Sequence, residues 1–358
     1  MTGSNPRWRW ALTLLAGILV LAGCGGAALS PTALPVEVDT PTPTLDLIFA
    51  PRETPPPPAT ATLAMAVNTP TTTPNTAPTR TRRIDTTHNI LLLGADRRRS
   101  VHKIWRTDTI MLIMVDKEQQ EVAVISIPRD TYITIPGYGK QRINVVDYFG
   151  EGGVVKVKGG GPALLTRVFW QNFGVRVDNY VRIDLEGFAK VIDVLGGVDV
   201  EITCPHTVQW GKTTYHFKKG VQHLTGTELM VYVRARRGSS DIDRARRQQR
   251  AILAMRDRAR ELNLLPRLPA LYKTLHNSVQ TDLSLLEMLD LARLAMDIPP
   301  ERVHGRVISY PLVRGTVTSR GESVLMPDLP AIRNVFETAF EQPPLHEATA
   351  QGINCEEE

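Results

Sequence analysis

Two apolar runs of strand length, Thr109 to Val115 and Val122 to Ile127, are joined only by the polar link Asp116-Lys117-Glu118-Gln119-Gln120. A link this short turns a chain back but cannot carry a helical crossover, so the runs are expected as antiparallel neighbours in one sheet. Asn89 to Leu93 supplies a third buried strand before them, and Pro128 closes the last. Helical patterns follow. Gly161-Pro162 opens one through Leu164, Leu165, Val168 and Phe169, with Gly174 as its stop, and another runs from Leu185 to Leu195 before Gly196-Gly197. Val198 to Ile202 alternates as a strand and is assigned to the same sheet. Thr225 and Glu228 make a capping-box signature ahead of Leu229, Met230 and Val233, and longer helices span about Asp241 to Asn263 and Leu283 to Met296. Strands interleaved with such helices predict an α/β fold, a three-layer α/β/α sandwich with a mixed central sheet.

The rest of the 358 residues reads differently. Arg7 and Arg9 precede the apolar run Ala11 to Ala22, the order of a secretory signal peptide. That run falls short of the about 20 apolar residues a membrane-spanning helix needs. Leu21-Ala22-Gly23-Cys24 resembles a bacterial lipobox, which makes Cys24 the expected lipidation site; an uncleaved signal anchor is the alternative. Both place the body on the extracytoplasmic face of the cell membrane. Ser30 to Thr87 is mainly Pro, Thr and Ala and is expected to be an extended tether. The expected organisation is therefore a signal or anchor over 1–24, a disordered linker over 25–87, one folded domain over 88–341 and a disordered acidic tail over 342–358. With Cys24 lipidated, Cys204 falls in a strand and Cys355 in the tail, and no structural disulfide is expected.

A formal charge of +5 is modest for this length and favours a local basic site over a general nucleic-acid surface. Charged groups gather at the strand ends: Asp96-Arg97 after the first run, Arg106-Thr107-Asp108 before the second, Pro128-Arg129-Asp130 after the third. Antiparallel pairing makes Asp108 and Arg129 neighbours, and Asp96 joins them if the first strand is also antiparallel. Carboxylates beside arginines suit a magnesium ion bridging to phosphate oxygens; a surface ion-pair network is the alternative. On the long helix, Asp241, Arg244 and Gln248 share a face with Arg247 beside them, at a helix N-terminus that already favours anions. Arg234 and Arg236 extend this diphosphate cradle. Arginines held 4 Å apart repel by about 4 kcal/mol at an effective dielectric of 20, so converging guanidiniums call for an anion. A solvated basic face with Ile252, Leu253, Met255 and Leu262 turned inward explains the helix as well. His102, His206 and His216 lack paired metal spacing.

Taken together, Asn89-Ile90-Leu91-Leu92-Leu93-Gly94-Ala95-Asp96-Arg97, Arg106-Thr107-Asp108, Ser126-Ile127-Pro128-Arg129-Asp130-Thr131, Arg142-Ile143-Asn144, Leu195-Gly196-Gly197-Val198, Tyr232-Val233-Arg234-Ala235-Arg236 and Asp241 to Gln249 resemble the LytR-CpsA-Psr proteins of bacterial cell-wall assembly. The resemblance implies an α/β/α core with a hydrophobic pocket for a polyprenyl chain, whose diphosphate is held by arginines and Mg2+. It implies a phosphotransferase that moves a glycan 1-phosphate from polyprenyl diphosphate to peptidoglycan at the cytoplasmic membrane. By motif position, Asp96 and Asp108 bind the metal. Arg106, Arg129, Arg142, Arg234, Arg236, Arg244, Arg247 and Gln248 bind phosphate, and Arg129, Asp130 and Asp241 serve catalysis. The chain departs from the family in having Arg142 where Lys is common and Ile242-Asp243 where Phe-Gly is usual. Pocket walls are expected from Leu164 to Phe173 and Leu185 to Leu195. A lipid-diphosphate hydrolase and a non-catalytic wall scaffold or regulator are the rival readings. Export argues against nucleic acid as a partner for the basic helix.

Overall fold

The computed structural model describes residues 83–96, 106–235, 240–275, 279–350 and Cys355. The Cys24 lipobox, the Pro/Thr linker as far as Arg82, and Arg236 lie outside the described residues; the last residues assigned to that linker are instead part of the folded body, with Arg83–Asp85 in a 3-10 turn and Ile84 and Thr87 buried. Strands β1 (His88–Ala95), β2 (Thr107–Asp116) and β3 (Glu121–Ser126) form the antiparallel meander that the polar link requires. The hairpin β4 (Tyr132–Ile135) and β5 (Gly139–Arg142) leads into α1 (Val146–Glu151) and α2 (Gly160–Val168). The turn after α2, Phe169–Phe173, widens to π-helical geometry and ends at Gly174, left-handed at φ 69°. Strand β6 (Asn179–Asp184) pairs parallel with β1, and Asp184 caps α3 (Leu185–Val194) by accepting from Gly187 N. Strands β7 (Val198–Ile202), β8 (His206–Trp210), β9 (Thr213–Phe217) and β10 (Gly220–Leu224) form two ribbons outside the main sheet, β7 with β10 and β8 with β9.

Helix α4 (Gly226–Arg234) opens on the expected capping box, and α5 (Asp241–Glu261) opens on a second one between Ser240 and Asp243. There follow α6 (Leu268–Leu275), β11 (Val279–Thr281), α7 (Leu285–Asp297), β12 (Val303–Val307), the hairpin β13 (Val313–Val317) and β14 (Ser323–Pro327), α8 (Leu329–Glu337) and α9 (Leu345–Ala350). The central sheet has six strands in the order β11-β6-β1-β2-β3-β12, with parallel and antiparallel pairs mixed.

Alternation along the strands sorts the two faces. Leu91, Leu93, Ile110, Leu112 and Met114 pack with Leu165, Phe169, Phe173 and Phe336, the α2 and α8 layer. Leu92, Met111 and Val124 turn the other way, toward Ile252, Leu253 and Leu294 of α5 and α7 and Leu345 of α9. This is the α/β/α sandwich. Among the described residues no helix is long and apolar enough to cross a membrane.

Four further expectations change. Val198 to Ile202 is a strand but belongs to the β7–β10 ribbon, because β6, β11 and β12 occupy the sheet positions beside the meander. The Leu164 to Phe173 helix lies in the core on the far face of the sheet and is not part of the lining of the apolar cavity described below. The tail from residue 342 carries α9, whose Leu345 and Thr349 are buried. Finally, Cys204 and Cys355 are joined by a disulfide, Cα to Cα 5.3 Å, pinning the tail to the end of β7.

Candidate functional site

Between the α5 side of the sheet and the helices covering it lies a cavity of about 570 Å3. Its floor is Leu92, Gly94 and Met111 of the meander with Val181 and Ile183 of β6; its walls are Leu185, Phe188 and Val191 of α3, Val208 and Trp210 of β8, Val231 and Val233 of α4, and Ala251, Ile252 and Met255 of α5. Apolar atoms dominate these surfaces. The polar lining includes Asp96, Asp108, Arg234, Arg244 and Gln248, each contributed by a strand end or a helix end.

The register of the meander explains this clustering. Ala95 pairs with Thr107, and Asp96 N donates to the Arg106 carbonyl at 2.9 Å, so the end of β1 and the start of β2 coincide. The register shifts between Gly94 and Ala95, which leaves Asp108 of β2 as the extra residue, and Gly94 is dictated by contact: a Cβ on it would sit 2.8 Å from Thr109 Cβ. Residue Arg129, after β3, arrives at the same edge, and its Nη1 donates to Asp108 Oδ1 at 3.0 Å.

From Arg129 the charges alternate. Its Nε lies 3.4 Å from Asp130 and 3.4 Å from Asp241. Asp241 also accepts from Arg244 Nη2 at 2.9 Å and forms an ion pair with its Nη1 at 2.8 Å. Asp130 accepts from Arg142 Nη1 at 3.4 Å, and Glu322 lies 3.8 Å from Arg142 Nη2. Burial alone would lower the Arg129 pKa, but Asp108, Asp241 and Asp130 together hold it above the ordinary arginine value, so the group stays charged. Arg234 Nη2 donates to Asp96 at 3.2 Å, and its guanidinium stacks over Trp210 at 4.8 Å. Its other terminal nitrogen, Nη1, is buried without a hydrogen-bond partner among the described residues.

Asp96, Asp108, Arg129, Arg234, Arg244 and Gln248 are thus brought to one rim, with Asp130, Asp241 and Arg142 behind it. Exposed Arg106 stands beside Asp96 in the backbone pairing. Arg247 differs. It is 1% exposed, does not line the cavity, donates through Nη1 to His206 Nε2 at 2.9 Å and through Nη2 to the Ala235 carbonyl, and burial brings its pKa down to about 10. Other arginines of α5 are also structural: Arg250 donates to Thr203, and Arg256 to the Ala295 and Ile298 carbonyls. Asp243, the departure from the family pattern, closes the capping box with Ser240 and pairs with Arg246 at 2.9 Å, turned away from the rim arginines. The reading from sequence missed Trp210 and Glu322. Trp210 had a signal, since Gly211-Lys212 between two alternating runs marks a two-residue hairpin turn, and Gly211 has φ 61°.

Among the described residues no group of three or more His, Cys, Asp or Glu side chains gathers for a metal ion. Asp96 and Asp108 on one cavity mouth still fit magnesium, which takes one or two carboxylates and completes its shell with phosphate oxygens and water.

The chain has recognisable relatives. It is 33% identical over 199 residues to the polyisoprenyl-teichoic acid–peptidoglycan teichoic acid transferase TagU of Oceanobacillus iheyensis, covering 55% of this chain and 59% of that protein. It is 32% identical over 198 residues to the regulatory protein MsrR of Staphylococcus aureus, covering 54% and 56%. The matched region therefore spans less than two thirds of these relatives. The crystal structure of Bacillus subtilis TagV superposes with a TM-score of 0.60 at 22% identity, over 72% of this chain and 99% of that one. TagT bound to LIIa-WTA gives 0.56 at 20% identity, over 72% and 92%. These similarities establish a shared fold. The family model described as the LytR_cpsA_psr family matches residues 60–341, and the chain belongs to that family.

Proposed function

We propose that this protein is a phosphotransferase of the cell envelope that moves a glycan 1-phosphate from a polyprenyl diphosphate to a hydroxyl of peptidoglycan. The observation that carries this reading is the union of an apolar cavity with a charged mouth: about 570 Å3 lined by aliphatic and aromatic side chains, opening onto Asp96, Asp108, Arg234, Arg244 and Gln248. The polyprenyl chain fills the apolar part, where each buried methylene contributes about 0.8 kcal/mol. The diphosphate meets the rim. Arg234 Nη1, buried and without an acceptor among the described residues, offers a phosphate oxygen a ready donor.

In this scheme the acceptor hydroxyl bonds to the phosphorus of the glycan phosphate, the bond to the departing polyprenyl phosphate breaks, and the hydroxyl proton ends in bulk water. Transfer of this kind depends on holding groups in line and neutralising charge. Arg129, Arg244 and Gln248 grip phosphate oxygens together with Arg234, Arg106 extends the basic rim, Arg142 supports it from behind, and Arg236 is carried over from the family motif as a further phosphate ligand. Asp130 and Asp241 set the plane of the Arg129 guanidinium. Asp96 and Asp108 would hold Mg2+, which when bound offsets the phosphate charge. The disulfide supports placement outside the cytoplasm, since such bonds persist in oxidising compartments. Anchoring through Cys24, or through an uncleaved apolar segment, places the site beside the membrane that supplies the lipid.

The test is to mix the purified full chain with a lipid-diphosphate glycan, peptidoglycan and Mg2+ and to analyse the products. Glycan phosphate covalently joined to peptidoglycan is the expected outcome. Release of glycan phosphate without an acceptor would make it a hydrolase. Binding that survives Asp108→Ala, without turnover in any preparation, would make it a scaffold.

A further inference from the structure

Among the described residues Arg247 is the largest of the fully buried side chains, and it carries a charge. Its contacts show what holds it there. Helix α4 ends at Arg234, and Ala235 turns out of the helix at φ −51°, ψ 134°, so the chain leaves just behind a rim arginine. Carbonyls at a helix end lack intrahelical donors, and Arg247 Nη2 donates to that of Ala235. Nη1 donates to His206 Nε2 at 2.9 Å, which requires the neutral ring with its proton on Nδ1. Burial and the neighbouring arginines lower the His206 pKa to about 4, so the ring keeps that acceptor at neutral pH. The guanidinium also lies 5.7 Å over the Tyr232 ring, one helical turn back in α4.

Three elements therefore meet on one planar group: the end of α4, the first residue of β8, and α5, which supplies it. Each contributes to the cavity mouth. Arg234 immediately precedes Ala235, Trp210 ends the strand that His206 begins, and Arg244 and Gln248 flank Arg247 on α5. Arg234 in turn stacks on Trp210 and pairs with Asp96. A lysine would not reproduce this, because its ammonium is a point charge on a flexible stem, without two fixed donors in one plane.

We propose that Arg247 is a positioning residue: from the interior it fixes the α4 end and the β8 strand so that Arg234 is held between Asp96 and Trp210. Its functional consequence rests on the diphosphate reading above, while the positioning itself is measurable without substrate. Hydrogen–deuterium exchange on the full chain in detergent should show segments 229–235 and 206–210 opening about tenfold faster in Arg247→Met, with β1 unchanged. His206→Leu should loosen 206–210 in the same way, and His206→Gln, which retains an acceptor, should restore slow exchange. Unaltered exchange in Arg247→Met and His206→Leu would overturn the proposal.

A second measurement separates positioning from direct contact. Calorimetry with geranylgeranyl diphosphate and Mg2+ should show Arg247→Met weakening binding by about tenfold, and the Arg234→Ala/Arg247→Met double variant binding no more weakly than Arg234→Ala alone. Fully additive losses would make Arg247 a phosphate ligand and refute the inference. If the wild type does not bind this probe, the diphosphate reading fails, and the exchange experiment still decides the positioning role. If Arg247→Met does not fold, the two His206 variants carry both comparisons.

Discussion

Breaking the Cys204–Cys355 bond should lower stability by about 3 kcal/mol and leave the site intact. The two cysteines are 151 residues apart in sequence, and closing a loop of that size in the unfolded chain costs about 17 cal/mol/K, or about 5 kcal/mol at 25 °C. Not all of this is lost on cleavage. Leu345 and Thr349, each 1% exposed, keep α9 docked, so in the native state only the chain from Ala350 to Cys355 is released. Closing so short a segment costs about 2 kcal/mol by the same relation, leaving a net loss of about 3 kcal/mol. At about 2 °C per kcal/mol for a body of this size, Tm should fall by about 6 °C. Differential scanning calorimetry of Cys204→Ser and Cys355→Ser, and of wild type with a phosphine reductant, should give one common shift. Lipid-diphosphate binding should not change, because neither cysteine lines the cavity. A Tm equal to that of untreated wild type in all three would refute the reasoning, as would a fall matching the full 5 kcal/mol, which would mean that α9 undocks with the tail.

Further expectations concern the site and its supports. Asp108→Ala removes a proposed metal ligand and the Arg129 partner together, and should cut glycan transfer at least about a hundredfold and abolish its response to Mg2+, read by product formation against metal concentration. Trp210→Ala removes the ring under Arg234, and a cation–π contribution of about 1 kcal/mol predicts about fivefold weaker binding of geranylgeranyl diphosphate, measured by calorimetry. Gly94→Val forces a Cβ to within 2.8 Å of Thr109 at the meander edge and should cost about 1–3 kcal/mol in chemical denaturation. Burial would raise the Asp243 pKa, but the Ser240 hydrogen bonds and Arg246 bring it below its ordinary 3.8. A carboxylate depressed in the folded state adds stability above its unfolded value and loses it as pH falls through the folded one, so urea midpoints should drop below pH 3.8 and drop less in Asp243→Asn.

The meander and its edge were legible because a polar link of fixed length leaves one topology, and topology fixes which strand ends coincide. Asp108 and Arg129 followed from that alone, and Asp96 on the further condition, which the structure meets, that β1 pairs antiparallel with β2. Strand β6 was not legible: Asn179-Tyr180-Val181-Arg182-Ile183-Asp184 alternates, but its inward arginine reads as a surface position, and only the structure shows Arg182 Nη1 donating to fully buried Asp147 at 2.8 Å. The helix from Gly160 was legible as an element but not as to its side of the sheet, since an apolar stripe names no partner. On α5, helical spacing placed Arg244 and Gln248 together, yet could not separate them from Arg247, whose direction is set by acceptors at Ala235 and His206 far away in sequence. The disulfide was missed because a cysteine in an acidic tail gives no sign of its partner.

The rim arginines do not wait as bare charge. Arg129 sits among Asp108, Asp130 and Asp241, Arg244 against Asp241, Arg142 between Asp130 and Glu322, and Arg234 against Asp96. Converging guanidiniums repel, and the interleaved carboxylates remove that repulsion before any ligand arrives, so the geometry is preorganised without one. The same carboxylates repel a diphosphate. A cation shared between Asp96, Asp108 and the phosphates would reverse that repulsion at the two positions nearest the cavity, leaving Asp130 and Asp241 to orient Arg129 from behind. Charge alternation at the rim thus gives a physical reason for the proposed role of a metal that the count of carboxylates alone does not supply.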